Sequence, residues 1–240
     1  MYAGGNARDA SDVERAVQAY GAAPGGSAML KSENRAAEEA MRSGVYVTWQ
    51  SPGDERECCR VGQGSSCLCG HALKSHGAPK GGGARLRPPA CTKCARCPAF
   101  RYAPSRPEEC GQWWLPRRKD FDPRAWRARV RQRPHEYCCL NCDSAVDAHE
   151  TVFEPEAARR ASGRPVGDAF RPLSETPGLA AAVLGSAADT TPEALVAAGR
   201  IGAAEYRSRI VEDRATGATF STNVGLAPPP RGPGAYVRPR

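Results

Sequence analysis

The segment Cys67-Leu68-Cys69-Gly70-His71-Ala72-Leu73-Lys74-Ser75-His76 decides how the rest of this chain is read. It lies within a stretch, Cys58 to Glu154, that holds all eleven cysteines and all four histidines. Thiolate and imidazole donors at such short spacings suit a tetrahedral metal ion, because a short loop lets neighbouring side chains reach one centre. Gly70 allows the backbone to turn tightly between them. Further on, Cys142-Asp143-Ser144-Ala145-Val146-Asp147-Ala148-His149 repeats the Cys-x6-His spacing of Cys69 to His76, which reads as a diverged internal repeat.

Working outward, Cys91-x2-Cys94-x2-Cys97 is expected to supply two ligands that complete the site begun by Cys67 and Cys69. His76 is the preferred histidine there, by analogy with His149, and His71 is assigned a supporting place beside it. Cys139, Cys142 and His149 form the second expected site. The candidate ligands are therefore Cys67, Cys69, His71, His76, Cys91, Cys94, Cys97, Cys139, Cys142 and His149, holding two structural zinc ions. Vicinal cysteines rarely serve one ion together, so one of Cys58 and Cys59 is a bystander or core thiol. Cys58, Cys59, Cys110, Cys138 and His135 receive no role. An odd number of cysteines fits a disulfide framework poorly, and the first thirty residues carry no apolar run suited to a signal peptide. The expected setting is the cytoplasm, where thiols stay reduced.

Composition explains why metal is needed. Hydrophobic residues make up 40% of the chain and aromatics 7%, while Gly and Pro together number 46 of 240. Such a sequence buries too little apolar surface to order all of itself, and a core of about a hundred residues requires staples. The expected fold is a small irregular β-rich zinc-stabilised module with flanking helical and extended arms and little regular secondary structure. Residues 1–44 are read as a helical arm, 45–160 as the Cys/His-rich module, and 161–240 as an Ala/Gly/Pro/Arg-rich arm with a helical hairpin over 191–214 and an extended proline-rich tail.

Individual elements follow from local chemistry. Ser11 with Glu14 suggests a capping box opening a helix, and a second helix starting at Ser27 or Ser32 should stop at Gly44. Val45-Tyr46-Val47-Thr48-Trp49 is β-branched and aromatic, hence a strand that opens the module. Phe100-x-Tyr102-x-Pro104 alternates like another. Trp113, Trp114, Phe121 and Trp126 read as core first and as a docking patch second.

From Arg85 to Arg133 there are fourteen Lys or Arg and four acidic residues, a net +10 that calls for an acidic partner. No stretch is long and apolar enough to span a membrane. Phosphate loops, nucleophile elbows and dinucleotide fingerprints are missing, Glu150 beside His149 does not make His-Glu-x-x-His, and the deaminase pattern is absent. The expectation is a protein that is not an enzyme and takes no small-molecule substrate.

Several words of sequence carry a family likeness: Trp49-x-Ser51-Pro52, Cys67-x-Cys69-Gly70-His71-x4-His76, Gly111-x-Trp113-Trp114-Leu115-Pro116-Arg117-Arg118, Phe121-Asp122-x3-Trp126, and Cys139-x2-Cys142-x6-His149-Glu150-Thr151-Val152-Phe153-Glu154. Over about residues 45–160 they resemble the eukaryotic "family with sequence similarity two-hundred-twenty-one". The resemblance implies a link to cilia or flagella, since the family occurs in organisms that have them. The expectation is a structural component of a ciliary, axonemal or other microtubule-based cytoskeletal assembly, with tubulin or other axonemal proteins as partners. A zinc-module nucleic-acid-binding protein is the alternative.

Overall fold

A computed structural model describes residues 10–23, 25–51, 53, 56–112, 115, 118–185, 210–213 and 218–221. Two helices lead in, α1 (Ala10–Tyr20) and α2 (Gly26–Ser43). Ser11 therefore lies inside α1 and does not cap it. Helix α2 ends where expected: Gly44 adopts φ 68° and its N–H donates to the Ala40 carbonyl at 2.8 Å. Strand β1 (Val45–Gln50) follows at once, then β2 (Glu57–Arg60). The chain returns to this sheet almost a hundred residues later with β3 (Glu150–Pro155), giving an antiparallel order β2-β1-β3.

Central β1 is buried on both faces, and side-chain alternation divides its residues between two cores. Val45, Val47 and Trp49 face the Cys/His module, where Phe100, Tyr102, Trp126, Val130, Tyr137 and Phe153 join them. Tyr46 faces the other way, against Ala37, Ala40 and Phe170. Helix α2 thus covers the back of this sheet. The alanines of α2 matter for that contact. A Cβ on Gly62 would lie 3.1 Å from the Ala36 backbone, so the two segments approach to a distance that only small residues permit.

The same back face holds a fully buried cation. Arg159, on helix α4 (Glu156–Ala161), is 0% exposed and pairs with Glu57 at 2.6 Å and Glu154 at 2.9 Å. Its Nε donates to the Pro165 carbonyl at 2.8 Å, and its guanidinium lies 4.6 Å from the Phe170 ring centre. Each carboxylate arrives from a sheet strand, so the arginine ties β2 to β3.

Between β2 and β3 regular structure is sparse: helix α3 (Pro123–Gln132), several 3-10 turns and isolated bridges. Asp122 caps α3 by accepting from Arg124 N–H at 2.8 Å, with Pro123 in the first turn. Trp126 and Val130 point inward while Arg124, Arg127 and Arg129 are exposed. The Phe100 to Pro104 segment contributes two buried aromatics, Phe100 and Tyr102, and a single bridge from Tyr102 to Cys67, not a strand. Trp113 and Trp114 lie outside the described residues, whereas Trp126 is core.

Helix α5 (Pro177–Gly185) contacts α1 and α2. Of the helical hairpin expected over 191–214, residues 191–209 and 214 lie outside the described residues, and the rest is corrected. Ile210–Asp213 is a strand, β4, antiparallel to β5 (Ala218–Ser221). The β-branched pair Ile210-Val211 on β4 and Thr219-Phe220 on β5, where Phe220 lies opposite Val211 and Thr219 opposite Glu212, favour extended backbone over helix. Ser221 closes β5, and the proline-rich tail after it lies outside the described residues. No helix among the described residues is long and apolar enough to cross a membrane.

Candidate metal centres

The two Cys-x6-His segments adopt one backbone design. Cys67 N–H donates to the His71 carbonyl at 2.9 Å, and Cys139 N–H to the Ser144 carbonyl at 2.9 Å. Gly70 N–H returns to Cys67 and Asp143 N–H to Cys139, at 2.8 and 2.9 Å. The turning residue is left-handed in both, Gly70 with φ 90° and Asp143 with φ 63°. A 3-10 turn follows in each, Leu73–Ser75 and Val146–Ala148, whose first residue is buried and anchors the loop to the core. The histidine then ends the turn in extended conformation, with Nδ1 facing the carbonyl four residues back, at 3.0 Å for His76 and 2.8 Å for His149. A proton held on Nδ1 by that carbonyl leaves Nε2 as the ligand atom in both copies.

Each copy thus offers two sulfurs and an imidazole nitrogen, and a distant cysteine supplies a fourth donor. Cys97 joins Cys67, Cys69 and His76; Cys58 joins Cys139, Cys142 and His149. A third group consists of Cys69, His71, Cys91 and Cys94. In every group the ligand atoms lie within 4.8 Å of one another. The arrangement therefore offers three places that could hold a metal ion, where two were expected. His71, expected to play a supporting part, stands among the ligands of the third group.

A tetrahedral centre with zinc's bond lengths has ligand-to-ligand edges of about 3.75 Å between sulfurs and about 3.55 Å between sulfur and nitrogen. The Cys67 and Cys97 sulfurs are 3.7 Å apart, and both Cys69 and Cys97 sulfurs lie 3.7 Å from His76 Nε2. Around His71 Nδ1 the sulfurs of Cys69 and Cys91 lie at 3.6 and 3.5 Å. The Cys142 to His149 separation of 3.1 Å is tighter. These values match the edges of metal polyhedra in the first two cases, and all eleven cysteines are free thiols.

Crowding of the donors shifts their protons. Hydrogen bonding from Cys58 draws the Cys139 thiol down to about 4 against the cost of burial, and the same contact pushes Cys58 up. His149 is raised: burial opposes its charged form, but hydrogen bonds to Cys139 and the Ala145 carbonyl outweigh it. Cys91 is lowered by the Lys93 and Cys94 N–H groups despite desolvation. An ion arriving at these groups would displace the protons the sulfurs still hold.

A family model described as Protein FAM221A/B matches residues 27–190, more than half of the chain. The chain belongs to the FAM221 family. Protein FAM221B of Rattus norvegicus is 36% identical over 163 residues, 58% of this chain and 31% of that protein. Protein FAM221B of Homo sapiens is 35% identical over 163 residues, covering 58% of this chain and 40% of its own length. Protein FAM221A of Xenopus tropicalis is 31% identical over 143 residues, 53% of this chain and 45% of that protein. The chain thus spans less than half the length of these relatives. No solved structure matches it. The FAM221 match begins within α2 and ends beyond α5, so it includes the elements that back the sheet as well as all the Cys/His groups.

Of the cysteines given no role, Cys58 is the one that belongs to a ligand group. The β1–β2 register slips between Trp49 and Gln50, pairing Trp49 with Cys59 and Gln50 with Glu57. Cys58 is left as the extra residue of a bulge, and Asn141, between Cys139 and Cys142, donates to its carbonyl. The bulge separates the vicinal pair: Cys58 joins the donors while Cys59 stays a buried core thiol. Cys110 is buried and Cys138 exposed; neither stands in a ligand group, nor does His135.

Proposed function

We propose that this chain is a non-enzymatic, zinc-stabilised structural component of a microtubule-based assembly of the cilium or flagellum, docking on acidic protein surfaces such as tubulin. The observation that carries this reading is the donor set. Each group has four protein ligands of sulfur and nitrogen, the closed arrangement of structural zinc, whereas catalytic zinc keeps a position open for water. Zinc here would substitute for apolar bulk that the Cys58 to Glu154 stretch lacks. The exposed arginines of α3 support an acidic partner, and the ciliary setting rests on the family resemblance alone.

The test is co-sedimentation of the zinc-loaded chain with microtubules, alongside titration with duplex DNA and RNA over a salt series. Binding to microtubules with weak nucleic-acid affinity supports the proposal. Tight nucleic-acid binding that falls linearly in log–log form with salt, together with indifference to microtubules, would replace it with a nucleic-acid-binding function.

A further inference from the structure

We infer that Cys69 is a bridging thiolate, so that the first and third ligand groups form one binuclear zinc cluster while the Cys58 group binds a single ion. This rests on the zinc reading above and goes a step beyond it. Cys69 is the one side chain common to two groups, and its sulfur stands at a tetrahedral edge from a nitrogen on each side, 3.6 Å from His71 Nδ1 and 3.7 Å from His76 Nε2. Without Cys69 each group has three donors; with it shared, both reach four.

Comparison of the two loop copies decides between a shared cluster and one ion choosing between overlapping sites. Where the first copy has His71, the second has Ser144, and among the described residues the second copy belongs to one ligand group alone, Cys58, Cys139, Cys142 and His149. The first copy gains His71, Cys91 and Cys94 as a set, with Cys91 placed 3.5 Å from His71. Three extra soft donors gathered beside an already complete tetrahedron are the composition of a second centre. Gly70, at φ 90°, turns the chain so that Cys69 and His71 lie on one side.

Charge agrees. Five thiolates and two neutral imidazoles around two divalent ions carry a net −1, the same as three thiolates and one imidazole around the single ion at Cys58. Sharing one sulfur keeps the larger cluster no more charged than the smaller. Backbone N–H groups of Lys93 and Arg101 approach the Cys91 and Cys67 sulfurs at 3.4 and 3.3 Å and offset part of that charge. The two ions differ in shelter: Cys67, His76 and Cys97 are buried, while Cys69, His71, Cys91 and Cys94 are partly exposed. The outer ion is the one a chelator reaches first.

The decisive experiment is cadmium-113 NMR of the full chain loaded with isotopically pure cadmium-113, with native mass spectrometry for ion count. The expected result is three ions and three resonances, two of them split by scalar coupling through the shared sulfur. His71→Ser, which gives the first loop the residue of the second, should lose one ion of the three and leave two unsplit resonances. Three unsplit resonances, or two in the wild type, would overturn the bridge while leaving the zinc reading intact. A His71→Ser chain that keeps three ions and the splitting would also overturn it. No cadmium uptake at all would remove the zinc reading itself.

Discussion

Gly70 and Asp143 occupy the same place in two copies of one loop, and both are left-handed, with φ of 90° and 63°. Glycine holds that conformation without a Cβ penalty, and aspartate is among the few other residues that visit it. Gly70→Ala should cost about 1–2 kcal/mol, the steric penalty of a left-handed alanine. Asp143→Gly should change stability by less, because the loop is already accommodated there. Denaturant unfolding of the metal-loaded variants checks both; equal effects at the two positions would mean that the loops are not equivalent.

Metal removal should abolish the fold around the clusters. Structural zinc contributes about 10–16 kcal/mol of apparent binding free energy in small modules, comparable with or above the total stability of about 5–15 kcal/mol of a typical domain. Exhaustive chelation is therefore expected to erase the near-ultraviolet circular dichroism from Trp49 and Trp126, both buried beside ligands or their loops. Retention of that signal without metal would show that the apolar core suffices.

Separation of Cys58 from Cys59 gives a selective prediction. Cys58→Ser should lose one ion by native mass spectrometry, whereas Cys59→Ser, Cys110→Ser and Cys138→Ser should keep the full complement. Loss of an ion from Cys59→Ser with retention in Cys58→Ser would reverse the assignment of the bulge.

Arg159 is buried between Glu57 and Glu154, and its removal leaves those carboxylates only the more exposed Arg164, 3.2 Å from Glu154 and 3.9 Å from Glu57, as a cation. Arg159→Met should destabilise by less than the roughly 3–5 kcal/mol of a wholly unpaired buried charge, because Arg164 still faces both carboxylates. The double variant Arg159→Met with Glu154→Gln should recover part of that loss, measured by denaturant unfolding. An effect within about 0.5 kcal/mol, the scale of ordinary surface changes, would exclude a structural part for this network.

Burial pushes Glu108 up from an ordinary 4.5 to about 7. The folded chain thus holds this proton more tightly than the unfolded chain does. Below pH 4.5 both states are protonated and the group is neutral in effect. Between 4.5 and 7 its contribution to stability falls as pH rises, and above 7 the full cost of a buried carboxylate is present. Glu108→Gln should match the wild type at pH 4.5 and exceed it at pH 8. The difference between the two chains isolates this group from the metal ligands, and a pH-independent difference would assign its effect to something other than ionisation.

The local part of the site was legible and the long-range part was not. The Cys-x6-His spacing revealed the paired loops because their ligands lie within one turn-sized segment, and Gly44 and the β-branched run of β1 marked a helix end and a strand for equally local reasons. The choice between Cys58 and Cys59 stayed open because it depends on a register slip against a strand that carries no cysteine. His71 stood among the candidate ligands but only in a supporting place, because the alignment of the two loops matches His76 with His149 and leaves Ser144 opposite His71. The alanine face of α2 has almost no apolar weight, so its burial against Tyr46 and Phe170 shows only once the sheet is formed. Arg159 carries no signal of its own in the sequence, because Glu57 and Glu154 meet it only across the strands.

The bulge that delivers Cys58 also sets an order of events at the ribosome. Every donor of the paired centre emerges between Cys67 and Cys97, so that cluster can close while α3 is still being made. Cys58 leaves the exit tunnel first of all the ligands yet must wait for His149, the last, keeping its half of the sheet open until β3 arrives to complete it.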